Sequence, residues 1–310
     1  MGARRKKGRP VSGWLILDKP YDMGSTEAVS KVKWLFKAQK AGHAGTLDPL
    51  ATGVLPIALG EATKTAPYVV DAQKRYRFTA RWGAATATDD AEGEVIARSD
   101  TRPDRAGIEA VLERFTGEID QAPPQFSAIK VGGERAYDIA RDGEAVTLAP
   151  RRIVIHALDL VDTPSADEAV FEAITGKGAY VRALVRDMAR ALGTEGHVSA
   201  LRRLAVGPFR ADGAVTVADL EALEPAEARD ALLTPISVAL GALPQAAVDG
   251  PQADKLRRGQ AAVVAPPVAK GVRGDGAGLV PAVLAMLHDE PVAICALDGL
   301  KLKPSRVFNL

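Results

Sequence analysis

The sequence predicts an α+β protein: a mainly antiparallel mixed sheet flanked by helices, followed by a small β-rich module. Two observations carry this prediction. Apolar or alternating runs of strand length recur at 14–18 (WLILD), 54–60 (VLPIALG), 75–82 (RYRFTARW), 151–162 (RRIVIHALDLVD) and 168–175 (EAVFEAIT). Helical patterns fall between only some of them, without the regular βαβ alternation of a parallel sheet. With 310 residues, 47% of them hydrophobic, there is ample chain for a buried core.

The elements follow in order. Residues 1–12, opening MGARRKKGRP, form a basic flexible tail. Trp14 to Asp18 form a buried strand, which Pro20 and Gly24 end. Ser25 is the expected N-cap of a helix, and Glu27 adds negative charge to its first turn. Val29, Val32, Leu35 and Phe36 continue the helical spacing to about residue 38, and Lys31, Lys33, Lys37 and Lys40 read as its solvated face. A polar, glycine-rich loop at 41–53 (AGHAGTLDPLATG) precedes the next strand. In RYRFTARW, Tyr76, Phe78 and Ala80 face the apolar side while Arg75, Arg77 and Arg81 face out, with GEVIAR at 93–98 as the expected partner strand. Ile108, Val111, Leu112 and Phe115 mark a helix. Residues 121–150 then lose all periodicity, and a segment this long inside a compact domain points to function or mobility. Val181, Leu184, Val185, Met188 and Leu192 share a face of a helix that Gly193 terminates. The composition loosens at 241–250, as in a linker. Short apolar runs at 260–265 and 291–297, around a glycine-rich GVRGDGAG loop, complete a small β-rich module at 245–310.

The composition excludes several classes. Forty basic residues against 39 acidic ones give a net charge of +1, so the chain is not uniformly basic, although a local basic face is allowed. The single cysteine, Cys295, forms no internal disulfide, which suits a reducing compartment. No apolar run reaches the roughly 20 residues of a membrane span. The four histidines, His43, His156, His197 and His288, have no metal-ligand spacing. No P-loop, dinucleotide fingerprint or GxSxG elbow occurs. Carboxylates, arginines and tyrosines are what remains for chemistry. The densest cluster is the 42–53 loop, with His43, Thr46, Asp48 and Thr52. On spacing alone, Asp48 before Pro49 is equally an ordinary turn residue.

Six further stretches come with that loop: LDKPYDMGST at 17–26, KRYRFTARWG at 74–83, TDDAEGEV at 88–95, PPQFSAIKVGGERAYDIAR at 123–141, GAYVRALVRDMARALG at 178–193 and SALRRLAVGPF at 199–209. In this order, together with GHAGTLDPLATGVLPIALGEATK, they resemble the TruB family of bacterial tRNA pseudouridine synthases over roughly residues 13–210. The resemblance implies a pseudouridine synthase fold in a catalytic domain at 13–240. It implies isomerisation of the uridine at position 55 of the tRNA T-loop, without cofactor or metal. Asp48 matches the catalytic aspartate. Arg182 matches the arginine that pairs with it, where the plain alternative is an exposed helix arginine. Asp90 matches an acid that holds Arg182, or is a turn acid. Tyr76 matches the platform for the flipped uracil, and Tyr180 and Leu201 match pocket-lining positions. His43 matches the histidine that fills the space the base vacates.

Lys19, Lys64, Lys130, Arg141, Arg202 and Arg203 are candidate phosphate contacts. The stretch 124–150 corresponds to the family's RNA-clamping insertion, and 245–310 is similar to a PUA-type RNA-binding module. The expected partner is the tRNA T-arm stem-loop, met by a cytoplasmic monomer with no obligate protein partner and no membrane. Guide-RNA-directed modification and a non-catalytic tRNA-folding chaperone are the alternative readings.

Overall fold

The computed structural model describes residues 8–127, 130–131, 134–135, 148–274, 276 and 278–310. Its centre is a nine-stranded sheet. In chain order the strands of the protein begin with β1 (Gly13–Lys19), β2 (Ala41–His43), β3 (Thr52–Leu59) and β4 (Lys74–Trp82). A short pair follows, β5 (Ala84–Thr86) and β6 (Val95–Arg98), then β7 (Gly117–Gln121) and the two-residue strands β8 (Lys130–Val131) and β9 (Glu134–Arg135). The sheet is completed by β10 (Arg151–Ser165), β11 (Glu168–Thr175), β12 (Gly196–Val206) and β13 (Phe209–Arg210). Its order is β1-β3-β12-β4-β11-β10-β7, with β2 added on β3 and β13 on β12. All neighbours are antiparallel except β3 and β12, which run parallel where Thr52 and Gly53 face Arg202 and Arg203.

The alternation read in RYRFTARW holds: Phe78, Ala80 and Trp82 are buried, and Arg75, Arg77 and Arg81 are exposed. Its partner differs from the expected one. GEVIAR pairs with β5, while β4 lies in the middle of the sheet between β12 and β11. Proximity in sequence favoured the near strand. The two edges of the nine-residue β4 are instead paired by two long strands that arrive later in the chain.

Two hydrophobic cores form on this frame. One packs Phe78, Phe171 and Trp82 against Leu184, Val185 and Met188 of the Val181–Ala191 helix, and Phe78 stacks on Phe171 with ring centroids 5.3 Å apart. Fully burying each such ring contributes about 2–3 kcal/mol. The other packs Leu15, Leu17, Leu55 and Ile57 against Ala28, Val32 and Leu35 of the Ser25–Leu35 helix. Tyr76 and Leu201 touch both cores. Gly24, not Ser25, takes the N-cap position of the Ser25–Leu35 helix. Ser25 enters the first turn, where its hydroxyl has a different partner described below. The helix stops at Leu35, because Lys37 adopts a left-handed φ of 49°.

The C-terminal part is a five-stranded sheet of β14 (Gln245–Ala247), β15 (Ala262–Val263), β16 (Val280–Leu287), β17 (Glu290–Asp298) and β18 (Lys301–Val307), in the order β14-β16-β17-β18-β15. The loosened composition at 241–250 is packed chain rather than a free linker. Pro244 accepts a hydrogen bond from Leu284 N, and β14 pairs with β16. The Ala- and Pro-rich interval forms a helix over Pro266–Arg273, which takes up the first residues of GVRGDGAG. A shared core joins the two parts: Trp14, Ile16 and Val54 lie in one cluster with Leu284, Ile294 and Phe308. Nor is the N-terminal stretch free from Arg9 onward, because its guanidinium bonds Asp230 and the Phe36 carbonyl.

Lys19 closes β1 with its side chain fully buried, and its ammonium donates to the carbonyls of Pro20, Met23 and Pro49 at 2.8, 2.7 and 3.0 Å. Burial pulls its pKa down to about 8 and the charge of Asp48 opposes that pull, so with three carbonyl acceptors it stays protonated at neutral pH. Lys19→Met removes three hydrogen bonds, each worth roughly 1 kcal/mol, and leaves Pro49 O with only its bond from Asp22 N. A loss of about 3 kcal/mol in urea unfolding is expected, and an unchanged midpoint would contradict it.

Candidate active site

The 44–51 loop between β2 and β3 is fastened along its length by side chains that reach its backbone. The Ser25 hydroxyl donates to Leu47 O and accepts from Leu47 N, both at 2.8 Å. Lys19 holds Pro49 O. Arg203, 1% exposed, donates to Gly45 O, Thr46 O and Val54 O at 3.0, 3.2 and 2.7 Å. Asp48 therefore stands between anchored neighbours. Arg203 reaches the loop because β12 runs against β3 without a side chain at Gly53. A Cβ there would sit 2.2 Å from Arg203 O, and the φ of 98° also demands glycine.

Asp48 Oδ2 meets Arg182 Nε at 3.0 Å, the carboxylate being 40% exposed and the guanidinium 6%. Arg182 is thus a buried residue of its helix and not the exposed arginine that helix statistics favour. Its other nitrogens donate to Thr88 O at 2.8 Å and Phe126 O at 2.9 Å, and Asp90 Oδ2 lies 3.6 Å away. Asp90 is itself held by the Thr88 hydroxyl and by Glu92 N. Arg182 meets Asp48 through one nitrogen, and its other two, fixed on carbonyls, hold the guanidinium so that this contact has one direction. One turn further along the helix, Arg186 repeats the pattern, binding Asp89 Oδ2 at 2.9 Å and Ala122 O at 2.7 Å.

In front of this pair lies a cavity of about 460 Å³, lined by His43, Asp48, Tyr76, Tyr180, Arg182 and Leu201 among others. Its charge is dominated by cations. Arg203 donates toward the Tyr76 hydroxyl, and burial lowers its pKa. Lys74 is held at about 8, first by burial and then by the charge of Arg203. The same two causes lower His43, whose ring is therefore neutral at pH 7 and whose buried Nδ1 has no partner among the described residues. Burial raises the Tyr180 phenol. The site thus presents one anchored carboxylate, two aromatic rings and a neutral imidazole in a positively charged surround. Among the described residues no group of three His, Cys, Asp or Glu side chains is arranged to hold a metal ion.

The structure brings together seven of the expected residues: Asp48, Arg182, Asp90, Tyr76, Tyr180, Leu201 and His43. It removes two of the expected phosphate contacts and gives two others, still partly exposed, partners within the chain. Lys19 and Arg203 are buried and committed to carbonyls. Lys64 bonds Glu61 and the Val307 carbonyl, which ties it to the C-terminal sheet. Arg202 is engaged by both oxygens of Asp18. Arg141 and the side chain of Lys130 lie outside the described residues, as does most of the 124–150 insertion. Sequence reasoning missed Lys74, Gln121 and the loop-holding part of Arg203. A signal existed for the last: adjacent Arg202 and Arg203 on one strand point to opposite faces, so a two-sided sheet has to bury one of them.

Comparison with known proteins agrees with this geometry. Residues 33–181 match the family described as TruB family pseudouridylate synthase (N terminal domain), and residues 182–241 match the tRNA pseudouridylate synthase B C-terminal domain. The tRNA pseudouridine synthase B of Agrobacterium fabrum is 53% identical over 314 residues, covering 99% of this chain and 97% of that protein. The chain belongs to the TruB family. A second relative of the same name, from Caulobacter vibrioides, is 52% identical and covered to 99% in both chains. Among solved structures, a Cbf5-Nop10-Gar1 complex matches with a TM-score of 0.72 at 24% identity, covering 99% of this chain and 91% of that one. At that identity the likeness establishes the pseudouridine synthase fold. For this TruB-family chain the fold is therefore a mixed sheet with flanking helices and a C-terminal sheet module.

Arg182→Lys keeps one charge but cannot reach Asp48, Thr88 O and Phe126 O together. Pseudouridine formation on tRNA should fall roughly 100-fold or more, close to the loss in Arg182→Ala. A lysine variant near the wild-type rate would show that the anchored guanidinium is not what orients Asp48.

Proposed function

We propose that this protein isomerises the uridine at position 55 in the T-loop of tRNA to pseudouridine. The supporting observation is the Asp48–Arg182 pair at the edge of a cavity large enough for a flipped nucleoside, with Tyr76 and Tyr180 as aromatic walls. Relatives at about half identity over the whole chain carry the name tRNA pseudouridine synthase B, which supports tRNA as the substrate.

The reaction breaks the C1′–N1 bond, turns the uracil over and forms a C1′–C5 bond. The proton displaced from C5 is matched by one gained at N1, so the formula is unchanged and no oxidant or water is consumed. Asp48 supplies the carboxylate. Arg182 occupies Oδ2, leaving Oδ1 toward the cavity for attack at C1′ or C6, or for removal of the C2′ proton. Tyr76 stacks the flipped base and lies close to its C5 for proton relay. Tyr180 and Leu201 close the other sides of the pocket, and Asp90 steadies Arg182. His43, kept neutral by burial and by Arg203, fills the space the base leaves without adding charge. A base folded into the T-loop must be unstacked to enter, as other base-modifying enzymes require.

The RNA contacts expected of the 124–150 insertion and of the PUA-like module at 245–310 belong to the same reading, with the T-arm as the element recognised by shape. The protein acts as a cytoplasmic monomer without a guide RNA or protein partner, and without cofactor. A chaperone role without chemistry would not need Asp48, Arg182 and Tyr76 gathered at one cavity.

Asp48→Asn should lower turnover by a factor on the order of 10⁴ while tRNA affinity stays within about threefold, because the amide keeps the shape and loses the charge. Measured turnover near wild type would remove the mechanism. An isolated T-arm stem-loop should be modified, whereas an unstructured RNA with the same sequence around the uridine should be a much poorer substrate. Equal rates on the two, by mapping of pseudouridine, would refute readout of shape. The role of the C-terminal module is best tested by surface substitutions, since deletion would open the core it shares with β1.

A further inference from the structure

Gln121, at the end of β7, is 2% exposed and takes no part in the reaction scheme above. Its carboxamide makes a two-point clamp on one residue of another element. Oε1 accepts from Tyr180 N at 2.8 Å, and Nε2 donates to Tyr180 O at 3.1 Å. The amide thus stands where a neighbouring strand would: it supplies the acceptor for Tyr180 N and adds a second donor to Tyr180 O, which also takes the first hydrogen bond of the helix from Leu184 N. Tyr180 sits in extended conformation (φ −112°, ψ 115°) at the N-cap of the Val181–Ala191 helix, with no side chain capping that helix. It is the last residue before Arg182 whose backbone direction is not dictated by the helix. Its ring lines the cavity.

The clamp is one of three along a short stretch. Arg186 grips Ala122 O and Arg182 grips Phe126 O. Residues 121–126 are therefore fastened at three points to the first two turns of the helix that carries the Asp48-binding arginine. Of the three, only Gln121 acts on a residue that faces the base.

We propose that Gln121 is a positioning residue for the isomerisation: by fixing the backbone of Tyr180 it sets the tyrosine ring against the flipped pyrimidine. The proposal rests on the reading of the cavity as the uridine site. Position 55 is not needed for it, because the readout is a rate and not a map of modified sites. A group that acts only through the orientation of a ring alters the chemical step more than the grip on tRNA.

The test uses full-length Gln121→Met and Gln121→Glu, each checked for a cooperative unfolding transition, with single-turnover rate and tRNA Kd measured below the onset of unfolding. Glutamate keeps the acceptor toward Tyr180 N and loses the donor toward Tyr180 O. The expected result is a rate lowered about 10- to 100-fold with Kd within about threefold. Gln121→Met combined with Tyr180→Ala should lose little beyond Tyr180→Ala alone, because the two act as a unit. A wild-type rate in either folded variant, a loss confined to Kd, or losses that multiply in the double variant would each overturn the proposal. So would failure of both variants to fold, which would make Gln121 a stability residue only. Should the wild type modify a different uridine, the reading of position 55 falls while the Gln121 comparison stands.

Discussion

Two buried cations hold the loop that carries the Asp48 carboxylate. Lys19 is held by three carbonyl oxygens, one of them in the loop, and Arg203 by three more together with the Tyr76 hydroxyl. Burying a charge on dipoles alone is costly unless every donor finds an acceptor, so the arrangement tolerates little movement. That intolerance is useful. Asp48 sits in a half-open cavity, where a carboxylate would otherwise choose its orientation according to the water around it. With its neighbours pinned and Arg182 meeting it from the side, the direction of its free oxygen is set by the protein itself.

The position of the cavity follows from the way the sheet is covered. One helix packs against one group of strands and a second helix against another, producing two cores. Tyr76 and Leu201 contact both. Side chains at such a seam are only half covered, so an apolar-walled opening arises without any layer being removed. Arg182 and Arg186 then bring the 88–90 turn and the 122–126 stretch to the helix, each arginine taking one partner from each. The surroundings of Arg182 are thus shared among the Asp48 loop, the 88–90 turn, the 122–126 stretch and the helix itself.

Much of this was legible in the sequence. The alternation at 75–82 and the helical stripe at 181–192 predicted the faces that are buried, because one periodicity decides one face. Asp48 was ambiguous by spacing and became a candidate only through its resemblance to a family. Partner choice was not legible: β4 passes over GEVIAR for β11 and β12, a decision made by total buried area. Nor was the fate of individual basic residues. Lys19 and Lys64 read as phosphate contacts, since nothing local shows that three carbonyls converge on one ammonium or that a strand more than 200 residues away supplies a carbonyl to the other. Gln121 carried no pattern of its own; its meaning lies in a residue 59 positions further on.

The cluster that joins Trp14 to Phe308 has a consequence for how the chain is made. Synthesis proceeds from the N-terminus, so β1 emerges among the first elements, whereas the residues that cover its outer side emerge among the last. Until then, the indole of Trp14 and the side chain of Ile16 have only part of their packing. Nascent chains stopped short of residue 308 carry an exposed apolar surface next to an otherwise completed sheet, a surface that invites chaperone capture. Strands β16 and β17 and Phe308 complete the packing of β1, so the two sheets mature together rather than one by one.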